Sequence, residues 1–245
     1  LNTKIMTKQL ISSLHKNRHN IYSQNGEDGV IHEVMKRLEI NSGWFCEFGA
    51  WDGKHLSNTF HLVEQGWKGV YIEGDIERFK DLQTNAEKYE DSLHLIREYV
   101  APSGAYSLDN LLSLTAIPKD FDLLSIDIDS DDYHVWAGLE NYNPLVVIIE
   151  ILGSIPPGVQ KISTPLSPHS SFESTVSLGK EKGYQLIGMI GNLFFVRNDI
   201  VEKLNLPSAE LIDSSSLFDP SWLEQSQTKT ILSSLKSKFK RMLKI

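Results

Sequence analysis

Between residues 27 and 38 the apolar side chains fall at Val30, Ile31, Val34, Met35 and Leu38. That is the three-and-four spacing of a helix burying one face, and it predicts a helix over 27–38 with Asn25 and Asp28 as its cap. The next signal is of another kind. "WFCEF" (44–48) is a short apolar run bounded by Gly43 and Gly49, which reads as a strand. "SNTFHLVEQG" then predicts a helix stopped at Gly66, and "GVYIEGD" a second strand ending on acids. Leu82 and Tyr89 sit on a polar helix after Asp75, "SLHLIREYVA" reads as a third strand, "SLDNLLSL" as a helix and "FDLLSIDID" as a fourth strand. "PLVVIIEI" gives a fifth, residues 170–182 a helix ended by Gly183, and "YQLIGMIGNLFFV" two strands meeting near Gly191. Strands interleaved with helices predict a mostly parallel α/β sheet covered on both faces, with its ligand crevice at the carboxyl ends of the strands.

Against that frame the polar strand ends gain meaning. Glu47, Glu73, Asp127, Asp129 and Glu150 all fall at or just beyond predicted strand ends and would share one rim. Carboxylates crowded together repel one another, so a rim without a ligand gains nothing from them. Asp127 and Asp129 occupy alternating positions, which on a strand point to the same face.

Composition narrows the choices. The 245 residues, 40% hydrophobic, suffice for one sizeable core, and the net charge of −8 argues against a nucleic-acid partner held by phosphate neutralisation. Cys46 is the single cysteine. It can make no intrachain disulfide and reads as a small buried hydrophobe in a reducing, cytoplasmic compartment. No apolar run approaches the length of a membrane span.

In "EFGAWDG" Gly49 and Gly53 allow a tight turn and close approach of backbone N–H groups to a ligand. The spacing lacks the dinucleotide pattern G-x-G-x-x-G, which disfavours an NAD-type oxidoreductase, and the lysine and hydroxyl of a phosphate-binding loop are missing. Glu73, at the end of the second strand, is placed to accept hydrogen bonds from both hydroxyls of a ribose, so a nucleoside ligand is expected.

These residues resemble a family. "YSQNGEDG", "EFGAWDGKHLSNT", "GWKGVYIEGD", "LLSIDIDSDDY" and "GYQLIG" followed by "NLFFVRND" occur in the order found in class I S-adenosylmethionine-dependent methyltransferases, in particular FkbM-like bacterial enzymes associated with small molecules and surface glycans. The resemblance covers Tyr22 to about Arg197 and implies a Rossmann-like, mostly parallel seven-stranded sheet with an antiparallel last strand. It implies that Glu47, Gly49, Ala50, Asp52, Ser57 and Asn58 surround the methionine part of the cofactor. Glu73 would bind the ribose with Asp75 and Arg78 close by, Val100 and Ala101 would border adenine, and Gln24 and Asp127 would also touch the cofactor. Ser130 departs from the pattern, standing where relatives often carry glycine, so this loop is expected to differ if a positive backbone angle is needed there.

Methyl transfer needs an aligned acceptor and, for a hydroxyl or amine, a proton acceptor. Asp127, Asp129, Asp132, Tyr133 and His134 are the expected catalytic residues, although Asp131 or Asp132 would equally serve as a helix cap. Asp127, Asp129 and Glu150 would also suit a hard divalent cation, as in some metal-dependent catechol and sugar O-methyltransferases. Tyr22, Gln24 and Glu27 are expected on a lid, and Tyr22, Glu27, Glu150 and His169 near the acceptor. His169 lies in the long proline- and serine-rich segment 153–171. The acceptor class is a small polar molecule: a sugar, a glycan precursor or a phosphorylated group. A catalytically inactive cofactor-binding module is the alternative. The expected organisation is an extension over 1–20, the methyltransferase domain over 21–200 and an extension over 201–245. The last ends in a basic amphipathic helix, with Lys229, Lys236, Lys238, Lys240, Arg241 and Lys244, that suits docking on an acidic surface or weak contact with an anionic membrane.

Overall fold

The computed structural model describes residues 12–223. The basic stretch from Lys229 onward lies outside them. Seven strands form one sheet: β1 (Trp44–Phe48), β2 (Lys68–Ile72), β3 (Leu93–Ile96), β4 (Leu123–Ile126), β5 (Val146–Ile149), β6 (Tyr184–Ile190) and β7 (Asn192–Arg197). Their order is β3-β2-β1-β4-β5-β7-β6. The first five pair in parallel, while β7 runs antiparallel between β5 and β6. This is the Rossmann-like class I methyltransferase fold, with the last strand reversed as expected. The helices are α1 (Glu27–Arg37), α2 (Phe60–Glu64), α3 (Ile76–Ala86), α4 (Leu108–Leu112), α5 (Asp132–Gly138), α6 (Phe172–Glu181) and α7 (Ser208–Ile212).

Two cores flank the sheet because successive strand residues point to opposite faces. Cys46, Phe48, Val70, Ile72, Leu124 and Ile126 enter one core; Phe45, Tyr71, Leu123 and Ile148 enter the other. Burial on both faces explains why β5 reads as an unbroken apolar run rather than an alternating one. Leu14 and Leu204 join one core and Leu217 and Phe218 the other, so residues on either side of 21–200 contribute to the packing.

Two local expectations are corrected. Helix α1 is preceded by Gly26 in a left-handed conformation, with no side-chain cap. Asp28 instead turns back and accepts the N–H groups of Ile21, Tyr22 and Ser23 at 2.7, 2.9 and 2.8 Å, folding the segment before the helix. Strand β4 ends at Ile126, and Asp129 has φ 59°, so strand alternation does not bring Asp127 and Asp129 to one face.

Among the described residues no helix is long and apolar enough to cross a membrane.

Candidate functional site

At the carboxyl ends of β1, β2, β4 and β5 lies a cleft of ≈ 530 Å³, within the range of small-molecule sites. Its floor begins with Gly49. The φ of Gly49 is 73°, and a Cβ added there would stand 1.7 Å from the carbonyl oxygen of Asp127. Only glycine lets the chain turn where β1 and β4 lie side by side. The turn is also tied to β2, since the N–H groups of Gly49 and Ala50 donate to Ile72 O at 3.1 and 3.2 Å.

Two buried glutamates hold the loops around this floor. Glu47 accepts from Ser57 Oγ at 2.7 Å, from the Asn58 N–H at 3.1 Å and from Thr59 Oγ1. Burial pushes its carboxyl above the ordinary range, against the pull of those donors. Its oxygens therefore serve first to fasten the loop at 57–59, although the side chain also lines the cleft. Asn58 reaches Ser125 Oγ at 3.1 Å, locking that loop to β4. Glu73 is held differently: Oε2 accepts the Trp51 N–H at 2.8 Å and Oε1 the Asp75 N–H at 2.7 Å. Each oxygen keeps a lone pair for a ligand hydroxyl.

Of the residues expected at the cofactor, Gln24, Glu47, Gly49, Ala50, Ser57, Glu73, Arg78, Val100 and Asp127 line the cleft. Asp52, Asn58, Asp75 and Ala101 do not. Asp52 accepts the Lys54 and His55 N–H groups within its own turn, and Asp75 caps α3 through the Glu77 and Arg78 N–H groups. Ala101 donates its N–H to Tyr106 O at 2.9 Å in a local bridge.

The acceptor side is more selective than the sequence reading. Asp127, Asp129 and Glu150 line the cleft, whereas Asp132, Tyr133 and His134 are not among its walls. Asp132 is buried, with its carboxylate accepting the Ile128 and Ser130 N–H groups at 2.8 and 3.1 Å, so it fastens the loop before α5, and that helix has no side-chain cap from Asp131 or Asp132. His134 Nε2 lies 2.9 Å from Ser163 O, anchoring the 153–171 segment, and Tyr133 packs against the core. Ser130 does not need glycine's freedom, because the left-handed residue of this loop is its neighbour Asp129. Tyr22 and Glu27 also stand off the cleft. Tyr22 meets Phe60 edge-on at 4.9 Å, and Glu27 is buried and accepts from Asn25.

His169 is not a wall of the cleft either, but it touches one of its walls. Its Nδ1 lies 3.3 Å from Glu150 Oε2, joining the long segment to the end of β5. Burial, then the neighbouring carboxylates, raises Asp127 and Glu150 well above the ordinary carboxyl range. Each retains a proton into conditions where an exposed acid has lost it.

Trp51 and Tyr99 line the mouth and were not singled out from the sequence. Arg78 lies over the Trp51 ring at 4.2 Å, and Tyr99 rests on Gly74, where an added Cβ would meet its ring at 2.3 Å. Trp51 stood within the glycine turn, and an aromatic side chain there was a readable signal. Tyr99 was hidden because "REYVA" reads as strand.

No family model and no curated protein matches this sequence. Among solved structures the chain is similar to monomeric WbdD, at 18% identity and a TM-score of 0.46 over 76% of this chain and 48% of that one. It is also similar to an S-adenosylmethionine-dependent methyltransferase from Aquifex aeolicus, at 10% identity and a TM-score of 0.42 over 67% of this chain and 86% of that one. A third likeness is to a sarcosine dimethylglycine methyltransferase described for Galdieria sulphuraria, at 13% identity and a TM-score of 0.44 over 64% and 60%. The chain thus spans about half the length of WbdD. With scores this low, the fold rests on the strand order and register of the sheet itself.

Proposed function

We propose that the chain is an S-adenosylmethionine-dependent methyltransferase acting on a hydroxyl or amine of a small polar acceptor. The observation that carries this reading is Glu73. It is a buried carboxylate at the end of β2, aimed by two backbone N–H groups and bordering a cleft of nucleoside size. A carboxylate so placed pairs with vicinal ribose hydroxyls. The glycine turn at Gly49 leaves room for the amino-acid part of the cofactor, and the Val100 side borders the base.

In the reaction the acceptor oxygen or nitrogen forms a bond to the methyl carbon as the carbon–sulfur bond breaks. The sulfur keeps the bonding pair and becomes a neutral thioether. The acceptor proton passes to Asp127 or Asp129, whose carboxyl groups line the cleft and would orient the acceptor as well. Among the described residues Arg78 is the one Lys or Arg lining the cleft, and it lies over Trp51. That charge balance favours a neutral polyhydroxyl or amino acceptor over a phosphorylated one, and a sugar or glycan precursor fits both the acidic rim and the resemblance to FkbM-like enzymes.

Calorimetric titration with S-adenosylhomocysteine tests the reading: saturable binding is expected, and a folded sample that binds none at millimolar ligand overturns it. Binding without turnover on any acceptor would favour an inactive cofactor-binding module.

A further inference from the structure

Three loops converge at the acceptor end of the cleft. Asp129 follows β4, Glu150 follows β5, and His169 comes from the segment before α6. One ligand atom from each lies within 4.8 Å of the others. Glu150 Oε2 and His169 Nδ1 are both shielded from solvent and have no hydrogen-bond partner, though they stand 3.3 Å apart. Both atoms therefore keep unused bonding capacity at the point where the three loops meet.

The backbone is set for the same convergence. Asp129 and His169 both have left-handed conformations, φ 59° and 61°, and the His169 N–H reaches Ser130 O at 3.4 Å. From behind, the Lys161 ammonium donates to the carbonyl oxygens of Ser167, Pro168 and His169. The two loops are therefore braced against each other independently of the side chains that meet.

We propose that Asp129, Glu150 and His169 bind a divalent first-row transition cation. Bonds of about 2.0–2.2 Å to imidazole nitrogen and carboxylate oxygen put neighbouring ligand atoms roughly 3–4 Å apart. Glu150 and His169 already meet that spacing, and the exposed Asp129 offers a carboxylate oxygen within 4.8 Å of both. The donor set decides the class. An all-oxygen site of Asp127, Asp129 and Glu150 would suit Mg²⁺ or Ca²⁺, whereas an imidazole in place of Asp127 shifts preference toward Mn²⁺, Fe²⁺ or Zn²⁺. Three protein ligands leave positions open toward the cleft for acceptor oxygens. That use rests on the methyl-transfer reading, since a coordinated hydroxyl is easier to deprotonate; the binding itself does not.

The test is Mn²⁺ binding, followed by electron paramagnetic resonance of the free ion, with S-adenosylhomocysteine affinity measured on the same samples. The full chain should take up one Mn²⁺. Glu150→Gln and His169→Gly should each weaken it by at least about tenfold, while His32→Ala, on the exposed side of α1, leaves it unchanged. Glycine is chosen at 169 because it accepts the left-handed backbone and supplies no ligand. Retained S-adenosylhomocysteine binding shows that the variants are folded. If the wild-type chain binds S-adenosylhomocysteine but no Mn²⁺ at millimolar concentration, or if both variants bind Mn²⁺ as the wild type does, the metal site is wrong and the methyltransferase reading stands. Mn²⁺ binding lost in the variants, with no S-adenosylhomocysteine binding in the wild type, supports the metal site and overturns the methyltransferase reading.

Discussion

The Trp51 N–H donates to Glu73 Oε2 at 2.8 Å, a bond that ties the loop leaving β1 to the end of β2. The same carboxylate is therefore both a brace for the glycine turn and the expected partner of ribose. Glu73→Ala should weaken S-adenosylhomocysteine binding by about 1–3 kcal/mol through lost charged hydrogen bonds. Glu73→Gln, which keeps an acceptor oxygen, should lose less. Calorimetry on the two variants checks the order, and an alanine variant with wild-type affinity would remove Glu73 from the cofactor site.

Gly49→Ala is expected to act on stability before it acts on binding. The new methyl group would overlap the Asp127 carbonyl oxygen and sit on a residue with φ 73°. Neither clash can be relieved by a side-chain rotation, because both partners are backbone. A cost upward of about 2 kcal/mol follows, read as a lower denaturant midpoint with an unchanged slope.

How far the sequence could be read depends on how local each determinant is. "WFCEF" and "PLVVIIEI" declared β1 and β5 because strands buried on both faces are mostly apolar and end at turn residues. The rim of acids at the strand ends was legible for the same reason. The roles of the aspartates in "DIDSDDY" were not. Whether Asp129 or Asp132 faces the cleft depends on which carboxylate collects the backbone N–H groups of Ile128 and Ser130, and four acids in seven residues look alike until the chain turns at Asp129. The meeting of His169 with Glu150 was equally hidden. It is made by a long loop with no periodicity, and held by a lysine whose three acceptors are all main chain.

A second buried arrangement sets the acid response. His61 Nδ1 lies 2.6 Å from Asp28 Oδ1, and both side chains are almost wholly buried. Burial disfavours the Asp28 charge, but His61, Ser23 and the Ile21 and Ser23 N–H groups outweigh it and hold the carboxyl at about 2, below its usual 3.8. A depressed carboxyl adds stability that is complete above its unfolded value and is lost as pH falls through the folded one. Stability should therefore drop between about pH 4 and pH 2, and Asp28→Asn should flatten that limb. At neutral pH, removing one partner of a buried pair costs about 3–5 kcal/mol. Denaturant titrations across pH measure both, and an unchanged acid limb in the variant would rule Asp28 out as its source.

Cys46 should be inert in the native state. It lies fully buried in β1, and burial followed by the adjacent Glu47 charge pushes its thiol far above the ordinary range. Thiolate is the reacting species, so a thiol-specific disulfide reagent should modify it only at the rate of global unfolding. Rapid labelling of the folded protein would contradict this burial.

Among the described residues the Lys161 ammonium is the single side-chain donor to the carbonyl oxygens of Ser167, Pro168 and His169. Three carbonyls turned toward one point would repel each other without a cation between them. Lys161→Met keeps the aliphatic stem but removes the charge, so the turn carrying His169 should open locally while the sheet is untouched. Losing charged hydrogen bonds of this kind costs about 1.5–3 kcal/mol, which corresponds to at least roughly tenfold faster amide exchange around residues 163–170. The Ser163, His169 and Ser171 N–H groups report on it, since they donate to Ser170 Oγ, Ser130 O and Lys161 O. Exchange in β1 and β4 should stay as it is, and S-adenosylhomocysteine should bind normally because Lys161 is not among the cleft walls. If the variant shows wild-type protection at 163–170, the lysine does not hold this turn, and His169 must be positioned by its contacts with Glu150 and Ser130 alone.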